Sequence, residues 1–127
     1  MKTAIVAARA PLAIGPYSQA IKAGDWVFVS GQLPVDPSSG AMPAGVAEQT
    51  EACLRNVAVI LGQAGLDMRD VVKTTVFMTD LGQFAAMNEA YAKHFPAPCP
   101  ARATVQVAAL PKGAAVEIEA VAFAGTK

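Results

Sequence analysis

The stretch VAEQTEACLRNVAVILGQAGLDMRDVVKTTVFMT, residues 46–79, decides the fold. In its first part Val46, Cys53, Leu54, Val57, Leu61 and Ala64 recur with a period of about 3.6 and share one side of a helix. Gly65 supplies the stop, since a residue without Cβ most readily takes the left-handed turn that ends a helix. Residues 71–79 then change to β-branched types and read as a strand. On the outer face of the helix Glu51 precedes Arg55 by one turn, a pairing worth roughly 0.2–0.5 kcal/mol. Cys53 lies on the inner face and reads as a core thiol.

Upstream the chain reads as strands broken by turns. Gln19 to Ala23 and Trp26 to Ser30 flank Gly24-Asp25, the pattern of a tight hairpin, and a further strand at the N-terminus would fit before it. In Ala13-Ile14-Gly15-Pro16-Tyr17, glycine permits unusual backbone angles and proline fixes one, so the loop can hold Tyr17 in place. Leu33 to Pro43, rich in Pro, Ser and Gly, reads as an irregular connection.

Downstream, Asp80 with Gln83 resembles an N-terminal cap for a helix carrying Phe84, Met87, Tyr91 and Phe95, a stripe that reads as core. The last strands lie near Ala103 to Ala109 and Ala115 to Phe123, with a turn at Pro111-Lys112-Gly113. The order β-β-α-β-α-β-β predicts a single α+β domain over residues 1–127: a mixed sheet with both helices on one face.

Composition says what meets the other sheet face. Hydrophobic residues make up 54% of the 127 and charged residues only 16%, against a usual apolar share of about 45–50% and a charged share of about a quarter. An alanine-rich monomer and a subunit with a broad apolar interface both fit, and the second is the expectation taken here. In the last strand Val116, Ile118, Ala120 and Ala122 point one way, and Glu117, Glu119, Val121 and Phe123 the other. If Val105 and Val107 face the helices, then Arg102, Thr104, Glu117 and Glu119 share the far face. A hairpin centred near Lys112 sets Thr104 opposite Glu119 and leaves Arg102 about 13 Å along the strands from the level of Glu117. A substrate and water spanning the gap, a shifted register or a neighbouring subunit would each close it.

Several chemistries are excluded. Acidic and basic residues balance at ten each, no run of like charge attracts a phosphate backbone, and nucleic acid is not an expected partner. Residues 1–8 lack the apolar core and cleavage site of a signal peptide, and no apolar run approaches membrane-spanning length, so the expected compartment is cytoplasmic. Cys53 and Cys99 read as free thiols. His94 is the only histidine, which excludes a multi-histidine metal site, and its place near a helix C-terminus suits an electrostatic role. No Gly-rich phosphate loop is present. What remains is Arg102, held after the stiff Pro98-Cys99-Pro100 segment. Such a guanidinium suits two-pronged binding of a carboxylate, although spacing alone favours a structural salt bridge to Glu117 or Glu119.

Residues 14–19 (IGPYSQ), 30–32 (SGQ), 72–76 (VKTTV) and 100–102 (PAR), with Leu110-Pro111 and Glu117-Ile118-Glu119-Ala120, occur in an order that resembles the Rid family, also called YjgF or L-PSP, and its enamine/imine deaminase branch. The resemblance spans essentially the whole chain. It implies a chorismate-mutase-like fold, a homotrimer with ligand clefts between subunits, and hydrolysis of 2-enamino and 2-imino acids to 2-keto acids and ammonia without metal or cofactor. Carried over, Arg102 would clamp the substrate carboxylate and Glu117 would activate water. Thr104 would offer mainly backbone contacts, and Tyr17, Ser30, Gly31 and Asn88 would line the pocket. Glu119 is a rival base on the same sheet face, and Thr104 stands where many relatives have cysteine. A non-catalytic trimer binding small carboxylic acids would use the same Arg102. An L-PSP-type ribonuclease or translation inhibitor is a third reading, and the balanced charge weighs against it.

Overall fold

The computed structural model describes residues 1–125. Its helix over the deciding stretch, α1 (Val46–Gln63), buries Cys53, Leu54, Val57, Ile60 and Leu61 on one stripe. It ends as expected at Gly65, whose φ of 76° lets the Leu66 N–H reach the Leu61 carbonyl and its own N–H reach Gly62. Burial pushes the Cys53 thiol above the ordinary thiol range, which leaves it inert. Polar residues on the same stripe anchor loops. Asn56 Nδ2 donates to the Leu33 and Val35 carbonyls at 3.1 and 2.9 Å. Gln49 donates to the Pro43 carbonyl and accepts from the Ala115 N–H, so the irregular connection before α1 is stapled from behind.

The strands are β1 (Lys2–Ile5), β2 (Ala20–Ala23), β3 (Trp26–Gln32), β4 (Val71–Met78), β5 (Ala101–Gln106) and β6 (Val116–Phe123), in one sheet ordered β1-β2-β3-β6-β4-β5. The N-terminal strand and the β2–β3 hairpin are as read, with Ala23 opposite Trp26 and Gly24 supplying the positive φ of the turn. α2 (Phe84–Ala92) follows a short 3-10 turn over Leu81–Gln83, and it is this turn that Asp80 caps, its Oδ1 accepting from the Gly82 N–H. Both helices cover the face carrying Val27, Val29, Val76, Met78, Val116 and Ile118, which close the core with Met87 and Tyr91.

The expected β5–β6 hairpin does not form, because β4 lies between the two strands. β5 runs parallel to β4 and β6 antiparallel to it. The segment joining β5 to β6 clasps the end of β4: Val107 N–H donates to the Met78 carbonyl, and Thr79 N–H to the Ala115 carbonyl. The expected Glu51–Arg55 pairing also gives way. Glu51 instead meets His94 and, at 3.7 Å, Lys93, tying α1 to the end of α2. His94 thus links two helices rather than capping one.

Candidate active site

β4 fixes where the site residues point. Thr74 is level with Arg102 on one side and Ala120 on the other, and Val76 is level with Thr104 and Ile118. Level neighbours in a sheet share a face, and Thr74, Val76, Ile118 and Ala120 are all core residues. Arg102 and Thr104 therefore lie on the helix face, and Glu117, level with Phe77, lies on the opposite one. The expectation that all four polar residues share the far face is corrected. β5 is an edge strand whose polar side chains turn toward α2, while Val105, 40% exposed, points away.

On the helix face Arg102 meets a stripe of α2, since Phe84, Asn88 and Tyr91 recur at i, i+4 and i+7. Arg102 Nη1 donates to Asn88 Oδ1 at 2.8 Å. The guanidinium carbon stands 4.7 Å from the centre of the Tyr91 ring and 5.5 Å from that of Phe84, within cation–π range. Tyr91 is buried and shares a 2.7 Å hydrogen bond with Thr74 Oγ1, while Phe84 remains 39% exposed. Met87, Tyr91 and Phe95 are core as read, but Phe84 and Tyr91 also flank the arginine, a role the aromatic pattern did not disclose. Asn88 inside an apolar stripe was the signal for it. Among the described residues no carboxylate pairs with Arg102, so the salt bridge to Glu117 or Glu119 is absent. Two residues along, Thr104 Oγ1 is shut off from solvent and has no hydrogen-bond partner among the described residues.

The far face carries the second group. β3 and β6 lose register between Val29 and Gln32, and Gly31 there faces the Glu117 carboxylate so closely that any side chain at 31 would collide with it. Burial, and then the charge of Glu119, raise the Glu117 carboxyl above its ordinary value of 4.5. Ser30 ties this bulge to the preceding loop: its N–H donates to the Gln19 carbonyl and its Oγ to that of Ser18, at 2.9 and 2.6 Å. Tyr17, next in that loop, is 56% exposed. Gln19, which sequence reasoning passed over, holds the loop from inside: Oε1 accepts from Ala7 N–H, and Nε2 donates to the Ala7 and Pro11 carbonyls. Ser30, Gly31 and Glu117 thus lie on the far face and Arg102, Asn88 and Thr104 on the helix face, with the sheet between them, while Tyr17 stands exposed in the loop that Ser30 holds.

The far face is also apolar and open. Trp26, Phe28 and Val105 are 43, 48 and 40% exposed, and the Trp26 and Phe123 rings pack at 4.7 Å. No helix of the described residues is long and apolar enough to cross a membrane.

Comparison with known proteins agrees with this architecture. The sequence pattern of the family described as Endoribonuclease L-PSP matches residues 7–124. A RutC family protein, y4sK of Sinorhizobium fredii, is 58% identical over 113 residues, covering 88% of this chain and 90% of its own. The 2-iminobutanoate/2-iminopropanoate deaminase of Mus musculus is 48% identical, covering 98% of this chain and 93% of its own. The crystal structure of E. coli TdcF with bound serine superposes with a TM-score of 0.90 at 48% identity, covering 95% of this chain and 98% of its own.

Proposed function

Because the chain belongs to the Endoribonuclease L-PSP family, also called Rid or YjgF, we propose that it hydrolyses 2-imino acids, and the 2-enamino acids that tautomerise to them, to 2-keto acids and ammonia. The observation that carries this reading is Arg102, a half-buried guanidinium fixed by Asn88 and two aromatic rings and left without a carboxylate partner among the described residues. A cation so placed is ready for the carboxylate of a small substrate.

Glu117 supplies the base. An iminium carbon is already electrophilic, so positioning and one proton acceptor suffice. Glu117 takes a proton from water as the oxygen bonds to C2 and the C=N π pair moves to nitrogen. Glu117 then returns that proton to the carbinolamine nitrogen, the C–N bond breaks to release ammonia, and the hydroxyl proton passes to the Glu117 carboxylate, leaving the keto acid. Burial, and then the charge of Glu119, hold the Glu117 carboxyl above its ordinary value, which makes it a stronger proton acceptor than a free carboxylate. Gly31 leaves the room the carboxylate occupies. Tyr17 and Ser30 form the adjoining wall, and Thr104, its hydroxyl shut off from solvent, contributes backbone contacts beside Arg102.

Since the sheet divides Arg102 from Glu117, one chain does not make the site. Two subunits complete it if the helix-face cluster of one meets the far-face cluster of the next. The open apolar surface at Trp26, Phe28 and Val105 supports such an assembly, and a chorismate-mutase-like homotrimer closes it with one cleft per subunit pair.

The test generates 2-aminoacrylate in place with a serine dehydratase and follows pyruvate. The native protein accelerates pyruvate release and Arg102→Ala does not. Equal rates with and without native protein contradict the deaminase and favour a non-catalytic binder of small carboxylic acids, a reading to which the serine bound by TdcF lends support.

A further inference from the structure

Resting on the deaminase reading above, we propose that Tyr91, fixed by Thr74, is a positioning residue for Arg102, its ring being the floor that orients the guanidinium toward the substrate carboxylate. The three side chains close a loop through the fold. Thr74 on β4 is level with Arg102 on β5, the Thr74 hydroxyl bonds that of Tyr91 at 2.7 Å, and the Tyr91 ring returns beneath Arg102 at 4.7 Å. Thr74 is 1% and Tyr91 5% exposed, so neither meets solvent or substrate. On its other side Tyr91 leans on Phe95, with ring centres 4.7 Å apart.

A planar fork binds a carboxylate with both prongs only if its plane is set. Asn88 fixes one in-plane direction through Nη1, and the Tyr91 ring fixes the face. Phe84, at 5.5 Å and 39% exposed, holds the guanidinium more loosely. Stability alone gives little reason for the buried hydroxyl pair, since an apolar pair of the same shape would serve the core about as well. What the pair adds is a fixed ring. Tyr91 acts on the reaction only through Arg102.

The test measures binding of pyruvate, a stable 2-keto acid, to the assembled protein by calorimetry, together with the deaminase rate. Tyr91→Leu weakens pyruvate binding about tenfold beside native Arg102, as expected for loss of a desolvated cation–π contact. In an Arg102→Lys background, where the fork is gone, the same change alters the residual affinity by less than about twofold. Tyr91→Phe and Thr74→Val each weaken binding about threefold, and the two together no more than either alone, because they break one link. These two keep the core filled and carry the comparison if Tyr91→Leu fails to assemble. A loss of equal size in both Arg102 and Lys backgrounds marks a merely structural role and overturns the proposal. Native-like binding by the Tyr91 and Thr74 variants, beside failed binding by Arg102→Ala, overturns it alone. Native-like binding by Arg102→Ala overturns the carboxylate anchor and the role of Tyr91 with it.

Discussion

Glu117 and Glu119 alternate on β6, and their surroundings divide the work. Glu119 is exposed, while Glu117 is partly buried and faces Gly31, and its carboxyl is raised, first by burial and then by the charge of Glu119. If Glu117 is the base, deamination falls as pH drops through a value above 4.5, since protonation removes the acceptor. Glu119→Gln then keeps activity and moves that acid limb to lower pH, while Glu117→Gln loses the reaction at least about a hundredfold. Loss of activity in Glu119→Gln and not in Glu117→Gln would exchange the roles. The same shift has a sign for stability. Between 4.5 and its raised native value Glu117 holds more protons folded than unfolded, so stability falls as pH rises through that window. Glu117→Gln therefore melts higher than the native protein at pH 7, a gain that disappears below about pH 4. A lower melting temperature at pH 7 would contradict the raised carboxyl.

At the scale of elements, most of the fold was legible because most strands and helices bury one face. The 3.6-residue stripe of α1 and the alternation of β6 both match the observed core. β5 misled for a physical reason. It is an edge strand whose helix face is a polar site rather than core, so the valine pattern that fixes the phase of a half-buried strand fixed the wrong phase here. The turn at residues 111–113 looked like a hairpin because consecutive strands usually pair, and nothing local shows that the joining segment steps over β4. Polar anchors were equally hidden, since Asn56 and Gln19 are placed by carbonyls far along the chain. Asn56→Ala strips two carbonyls of their donor and costs roughly 2 kcal/mol in chemical denaturation. A change under about 0.5 kcal/mol would mean that water replaces the amide without loss.

At the scale of the molecule, the sequence pointed to Arg102 and Glu117 but not to their separation by the sheet, nor to Phe84 and Tyr91 beside the arginine. Ser30, Gly31 and Glu117 fall on one side of the sheet, and Asn88, Arg102 and Thr104 on the other, because β4 lies between β5 and β6 and sets Arg102 and Thr104 level with core residues. The apolar excess read from composition takes shape as the open face at Trp26, Phe28 and Val105. On the proposed reading, a second copy covers that face and brings the missing cluster to the site. The proposed deamination therefore requires catalysis shared between subunits. Co-expressing Arg102→Ala and Glu117→Gln chains under different tags, and purifying the mixed assemblies, tests this directly. Neither variant alone deaminates 2-aminoacrylate, and if the assembly is the proposed trimer the purified mixed assemblies regain roughly a third of native activity, because one cleft in each receives both native residues. Mixed assemblies as inactive as either parent would contradict it.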